Sequence, residues 1–139
     1  MYYPKLTTEQ KEWLPEHLEK LTKAGVIVKI DDDAKDGSYS PTLLVAKKKR
    51  GEWRLVTDNR HVNSIVREVE VDIPDLDELR ASIGRINSSV GPATRYATMD
   101  IVKGYWMIPV EKDSQKYLRF KLPSPFGAFR FARATMGFK

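Results

Sequence analysis

A chain of 139 residues with 41% apolar side chains is long enough to bury one real hydrophobic core, and its lack of cysteine excludes disulfides and thiolate metal sites. A net charge of +5 and a pI near 9.4 favour a polyanionic partner, a weak signal by itself. No apolar run approaches membrane-spanning length and no signal-peptide pattern opens the chain, so the expectation is an intracellular protein, of nucleus or cytoplasm, with no membrane partner.

Residues 1–6 read as an extended lead-in. Thr7 and Thr8 are candidate N-caps, and Gln10 stands three residues after Thr7, as a capping box requires. Trp13, Leu14, Leu18 and Leu21 give a helix-spaced apolar face. Pro15 either kinks this helix or opens a second one, since proline suits a first turn. Gly25 ends it, and residues 26–28 form a short strand. His17, among Glu16, Glu19 and Lys20 with no second histidine nearby, reads as a solvated surface residue. Residues 30–41 form a loop. Its acidic run at 31–33 lacks the alternating ligands and closing Glu of a calcium site.

Residues 42–46 and 53–57 then make a β-hairpin whose tip, KKKRGE, carries four positive side chains. A solvated turn tolerates such a cluster. The functional alternative is a phosphate grip, with lysine as a point charge and Arg54 as a fork of donors. The polar residues at 58–63 can bond the backbone and hold the exit from the hairpin, and residues 64–71 are irregular or extended. Pro74 starts a helix with Asp75, Asp77 and Glu78 in its first turns and Leu76, Leu79 and Ile83 on its apolar face. Gly84 and the SSVGPAT segment close it. The stretch YATMDIVKGYWMIPV, residues 96–110, reads as a buried strand ending on one carboxylate, Asp100. A lone aspartate at a strand end serves as a cap or turn residue. The alternative is a hard carboxylate sharing Mg²⁺ with substrate phosphates. One helical turn within 111–117 and a second hairpin, residues 117–121 and 128–134, complete the chain.

Six blocks in order carry a resemblance: LEKLTKAGVI, SYSPTLLVAKKKRGEWRLVTDNRHVN, IPDLDEL, YATMDIVKGYWMIPV, DSQKYLRF and FGAFRFARATMGFK. Over about residues 18–139 the chain resembles the fingers and first part of the palm of a reverse transcriptase, most closely those of gypsy-class LTR retrotransposons. The resemblance implies that Asp100 is the first catalytic aspartate and that the Ile101 carbonyl is a second Mg²⁺ ligand. It implies that Tyr105 lies under the incoming sugar, where its ring would exclude a ribose 2′-OH. Lys48 and Arg54 match residues that hold nucleotide phosphates, with Lys47 or Lys49 replacing Lys48 if the hairpin register differs. Met136 and Gly137 match a segment lining the nucleotide site. Asp58, Arg60 and Asn63 match a block expected to contact or support template, and Lys47, Lys49 and Arg50 extend the nucleic-acid surface.

The departures set the expected activity. The family's second catalytic block, a Tyr-x-Asp-Asp hairpin, is missing, and no Asp or Glu follows Asp113. Two-metal phosphoryl transfer needs at least two placed carboxylates, so Mg²⁺ binding is expected to be weak or absent and the chain unable to polymerise alone. Asn59 stands where relatives usually have an aromatic or apolar residue. The expected architecture is α+β: a fingers-like part at 1–74 with the basic hairpin, and an incomplete palm-like part at 75–139 with a helix packed on an antiparallel sheet centred on Asp100. The expected function is a truncated retroelement polymerase fragment that binds nucleic acid, template–primer or single strand. The alternative is a domesticated, non-catalytic module whose open palm edge pairs with a second copy or a protein partner.

Overall fold

The computed structural model describes residues 5–31, 36–68, 70 and 72–139. It is an α+β fold, as expected, in two compact units: residues 1–66 with 103–139, and residues 67–102.

The first unit opens with α1, Thr8–Lys23. Its start is the capping box read from the sequence. The Thr7 backbone N–H donates to Gln10 Oε1 at 2.9 Å, and Thr7 Oγ1 accepts from the Gln10 N–H at 3.3 Å. One helix runs through Pro15, so no second helix starts there. Leu14, Leu18 and Leu21 are buried on a single face, and Gly25, at φ 65°, turns the chain out of the helix. Strands β1 (Ile27–Ile30), β2 (Tyr39–Ser40), β5 (Arg119–Leu122) and β6 (Gly127–Phe131) form a four-stranded sheet in the order β1-β6-β5-β2. Only β2 and β5 run parallel. The sheet packs its inner face on α1. Phe120 is fully buried, with its ring 4.9 Å from Phe131 and 5.5 Å from Phe129. Pairing of Ile27 with Phe131 joins the two ends of the chain in one sheet, across the boundary expected at residues 74 and 75.

The basic hairpin is a separate two-stranded sheet, β3 (Thr42–Ala46) with β4 (Trp53–Thr57), in the register Ala46 opposite Trp53. Between residues 30 and 66 two elements were not foreseen. The two-residue β2 lies inside the loop expected at 30–41. A short helix, α2 (Arg60–Ile65), follows the hairpin and buries Val62. Residues 32 and 33 of the acidic run, and residues 1–4 of the lead-in, lie outside the described residues.

The second unit is dominated by α3, Leu76–Val90. Asp75, not Pro74, caps it. Its carboxylate accepts from the Asp77 and Glu78 N–H groups, both at 2.8 Å, while its own N–H donates to Glu78 Oε2 at 3.1 Å. The helix passes through Gly84 without a break and ends at Gly91, inside the SSVGPAT segment expected to close it. Its apolar side chains, Leu76, Leu79, Ile83, Ile86 and Val90, are exposed.

The buried strand expected at 96–99 is absent. Residues 94–101 form no regular element, Tyr96 is 58% exposed and Met99 93%. A strand exists only through ladder partners, and among the described residues this segment has none. The Tyr96 hydroxyl instead donates to Asn87 Oδ1 of α3 at 2.6 Å. The sheet centred on Asp100 is therefore corrected: the four-stranded sheet belongs to the first unit. Only the end of the stretch pairs as expected. The Val110 N–H donates to the Ala132 carbonyl at 3.0 Å and the Ala134 N–H to the Ile108 carbonyl at 2.9 Å.

Candidate functional site

The hairpin tip is built to keep part of its charge free. The Lys47 N–H donates to the Glu52 carbonyl at 2.9 Å, closing the turn, and Gly51 supplies the positive φ, 78°, that the turn needs. The Glu52 carboxylate meets Lys47 at 3.2 Å and Lys49 at 2.8 Å. These cations hold its carboxyl below the usual range, the hydrogen bond from Lys49 most strongly. Lys48, Arg50 and Arg54 have no ion-pair partner among the described residues. The observed register therefore leaves Lys48, rather than Lys47 or Lys49, as the unpaired lysine at the tip. Lys48, Lys49 and Arg54 line one open depression on the hairpin.

Beside it, and wholly within the first unit, lies a cleft of about 350 Å³. Three residues named from the sequence at distant positions, Arg54, Tyr105 and Met136, line it together with Lys47. The sequence reading assigned no site role to two of its other members, His17 and Lys103. No carboxylate lines it. The floor comes from a tight turn. Lys103 adopts left-handed backbone, φ 55° and ψ 44°, and its carbonyl accepts from the Trp106 N–H at 2.8 Å. Tyr105 meets Trp106 edge to face at 5.7 Å, and the Lys103 ammonium sits 4.2 Å from the centre of the Trp106 ring. The Trp53 indole N–H is buried with no acceptor among the described residues.

His17 is a correction. It does not stand free in solvent but stacks on Trp13 at 4.3 Å and lines the cleft. Burial, then the positive charges of Lys103, Lys47 and Lys20, push its imidazole down to about 4, so it is neutral at pH 7. The one available signal was its position four residues after Trp13 on a helix, which brings the two rings onto one face.

The block after the hairpin closes on the end of the chain. Asn59 is buried, and its amide donates to Thr135 Oγ1 at 2.9 Å and to the Met136 carbonyl at 3.5 Å. A polar residue at this position is thus a hydrogen-bonded contact where an apolar one was expected. The Asn63 amide donates to the Gly137 carbonyl at 2.8 Å and accepts from the Lys139 N–H at 3.0 Å. Gly137, at φ 77°, takes backbone that other residues rarely adopt. Asp58 and Arg60 pair with each other, and that contact carries the Asp58 carboxyl down to about 2.

Asp100 and Ile101 belong to the second unit, and both are exposed. Mg²⁺ asks for several oxygen ligands in near-octahedral array. Asp100 and the Ile101 carbonyl supply two kinds of oxygen, and the described residues contain no cluster of three or more carboxylate or imidazole groups placed to hold a cation. The pair does not by itself make a Mg²⁺ site. Among the described residues no helix is long and apolar enough to cross a membrane.

Two relatives are similar over nearly the whole chain. A protein described as a putative enzymatic polyprotein, from Cassava vein mosaic virus, is 32% identical over 91% of this chain and 19% of its own length. The retrovirus-related Pol polyprotein from transposon 412 of Drosophila melanogaster is 27% identical over 94% of this chain and 10% of its own. The chain thus spans less than a fifth of either relative. The profile of the reverse transcriptase (RNA-dependent DNA polymerase) family matches residues 45–138, from the basic hairpin through the cleft to the Met136–Gly137 segment, and the chain accordingly belongs to that family.

Proposed function

We propose that the cleft is the nucleotide site of a retroelement polymerase of the gypsy class, and that the 139 residues bind nucleic acid but do not polymerise by themselves. The observation that carries this reading is the convergence of Arg54, Tyr105 and Met136 on one cleft that no carboxylate lines. An anionic ligand is attracted there, and its apolar parts find Tyr105, Trp106 and Trp53. In this reading Arg54, with Lys48 from the hairpin tip, holds the phosphates, while Tyr105 restricts the sugar by steric exclusion. Met136 and Gly137, pinned by Asn59 and Asn63, complete the wall. Lys47, Lys49, Arg50, Asp58, Arg60 and Asn63 belong to the template side of the same surface. Asp100 and the Ile101 carbonyl are the oxygens assigned to a divalent ion. Two-metal transfer needs a further carboxylate, and none follows Asp113 in the 139 residues.

Binding of a deoxynucleoside triphosphate and of its ribose counterpart tests this reading. Arg54→Ala is expected to weaken both by about tenfold, the loss of one charge-assisted phosphate contact. Tyr105→Ala is expected to narrow the difference between the two sugars. Unchanged affinity in Arg54→Ala would remove the cleft from the account.

A second reading, a non-catalytic module for self-association, is favoured by one observation: the whole apolar face of α3 is exposed within its own unit.

A further inference from the structure

Lys103 and His17 have no role in the nucleotide reading, yet both line the cleft. Lys103 is the sole residue other than glycine with positive φ among the described residues, a conformation that a lysine adopts only under constraint from its surroundings. Its ammonium is held over the Trp106 ring, and no carboxylate pairs with it among the described residues. A cation braced by an aromatic face keeps its capacity to bind an anion. His17 approaches from α1, braced by Trp13. The charges acting on it are positive: Lys103 from the turn, Lys47 from the hairpin and Lys20 from its own helix, with Lys47 itself paired to Glu52 at 3.2 Å. Glu16, its neighbour in sequence on α1, is engaged by Lys20 at 2.7 Å.

We propose that Lys103 and His17 form a phosphate subsite at the α1 side of the cleft, flanked by Lys47 and Arg54. The inference rests on the nucleotide reading only for what the phosphate is attached to. A neutral imidazole has one N–H donor and one acceptor nitrogen. A phosphate seated beside Lys103 and Lys47 in the cleft reverses the local field at His17, favours the imidazolium and turns both ring nitrogens into donors. Binding at this subsite therefore takes up a proton below neutral pH, which binding at the hairpin tip does not.

The chain has two histidines, and His61 on α2 is exposed, which gives an internal reference for a ring-resolved NMR titration. The probes are inorganic tripolyphosphate, a deoxynucleoside triphosphate and a primer–template duplex, each at low salt. The expected result is a saturable shift of the His17 ring signals and a rise of its titration midpoint by a unit or more, with His61 unmoved. Lys103→Asn removes the cation and tolerates left-handed backbone, and Lys103→Gly is the second such variant. Both are expected to weaken tripolyphosphate binding about tenfold. A midpoint raised by tripolyphosphate or the nucleotide supports the subsite with nucleotide phosphates as its ligand. A midpoint raised by the duplex alone supports it with backbone phosphates instead. If tripolyphosphate binding falls with Arg54→Ala but ignores both Lys103 variants and leaves the His17 midpoint unchanged, the subsite is overturned and the nucleotide reading stands. If none of the three probes binds, both fail.

Discussion

At the scale of single residues, side chains distant in sequence hold the cleft wall through a few polar contacts. Asn63 grips the end of the chain from both sides, donating to Gly137 and accepting from Lys139. Asn63→Ala removes both bonds. It is expected to cost about 1 to 2 kcal/mol in denaturant unfolding and to speed amide exchange at Lys139 more than in the four-stranded sheet. His17 carries a pH prediction with a definite sign. Folded, it titrates near 4. Unfolded, an imidazole titrates near 6.5. Between those values the unfolded chain binds more protons, so stability is fully present above about 6.5 and declines as pH falls toward 4. The loss for this half-buried ring should be roughly 2 kcal/mol. His17→Gln should flatten the slope across that window, and an unchanged slope would show that His17 is not its source. The neutral His17 was illegible from its neighbours in sequence because Lys47 and Lys103 reach it only through the fold.

At the scale of elements, legibility followed local rules. The cap of α1, the hairpin and the β5–β6 pair obey short-range chemistry, in which a capping box or alternating apolar residues suffice, while Asp75, read as a first-turn residue behind Pro74, is the cap of α3 by the same rule. Asp58, Asn59, Arg60 and Asn63 were read as polar residues holding a turn. Asp58 and Arg60 do so by pairing with each other at the start of a helical turn, whereas Asn59 and Asn63 bond residues 135–139, more than 70 positions away. Residues 96–99 fit a strand by composition, yet strand formation is decided by partners rather than by propensity. The apolar face of α3 was legible too, but what covers it was not. If that face mediates self-association, sedimentation velocity at high micromolar concentration should show a dimer or larger species, and a Leu79→Lys/Ile83→Lys variant should return the chain to monomer. A clean wild-type monomer at that concentration would count against it.

At the scale of the whole molecule, the surplus of positive charge is arranged rather than scattered. Glu52 neutralises part of the hairpin tip and leaves Lys48, Arg50 and Arg54 available, next to a cleft that no carboxylate lines. The +5 net charge by itself points only weakly to a polyanion, and under the proposed reading the hairpin tip and the cleft are the surface on which several phosphates are met together. The measurement that tests this most directly is binding of a labelled primer–template duplex across a salt series, for the wild type and for Lys48→Ala/Arg54→Ala. With about five phosphates neutralised, log K should fall against log salt with a slope of about −4 to −5. The double substitution should weaken binding and flatten that slope by about 2. Tight binding that is indifferent to salt, or a slope unchanged by the substitutions, would contradict the assignment of the hairpin and cleft as the phosphate-gripping surface.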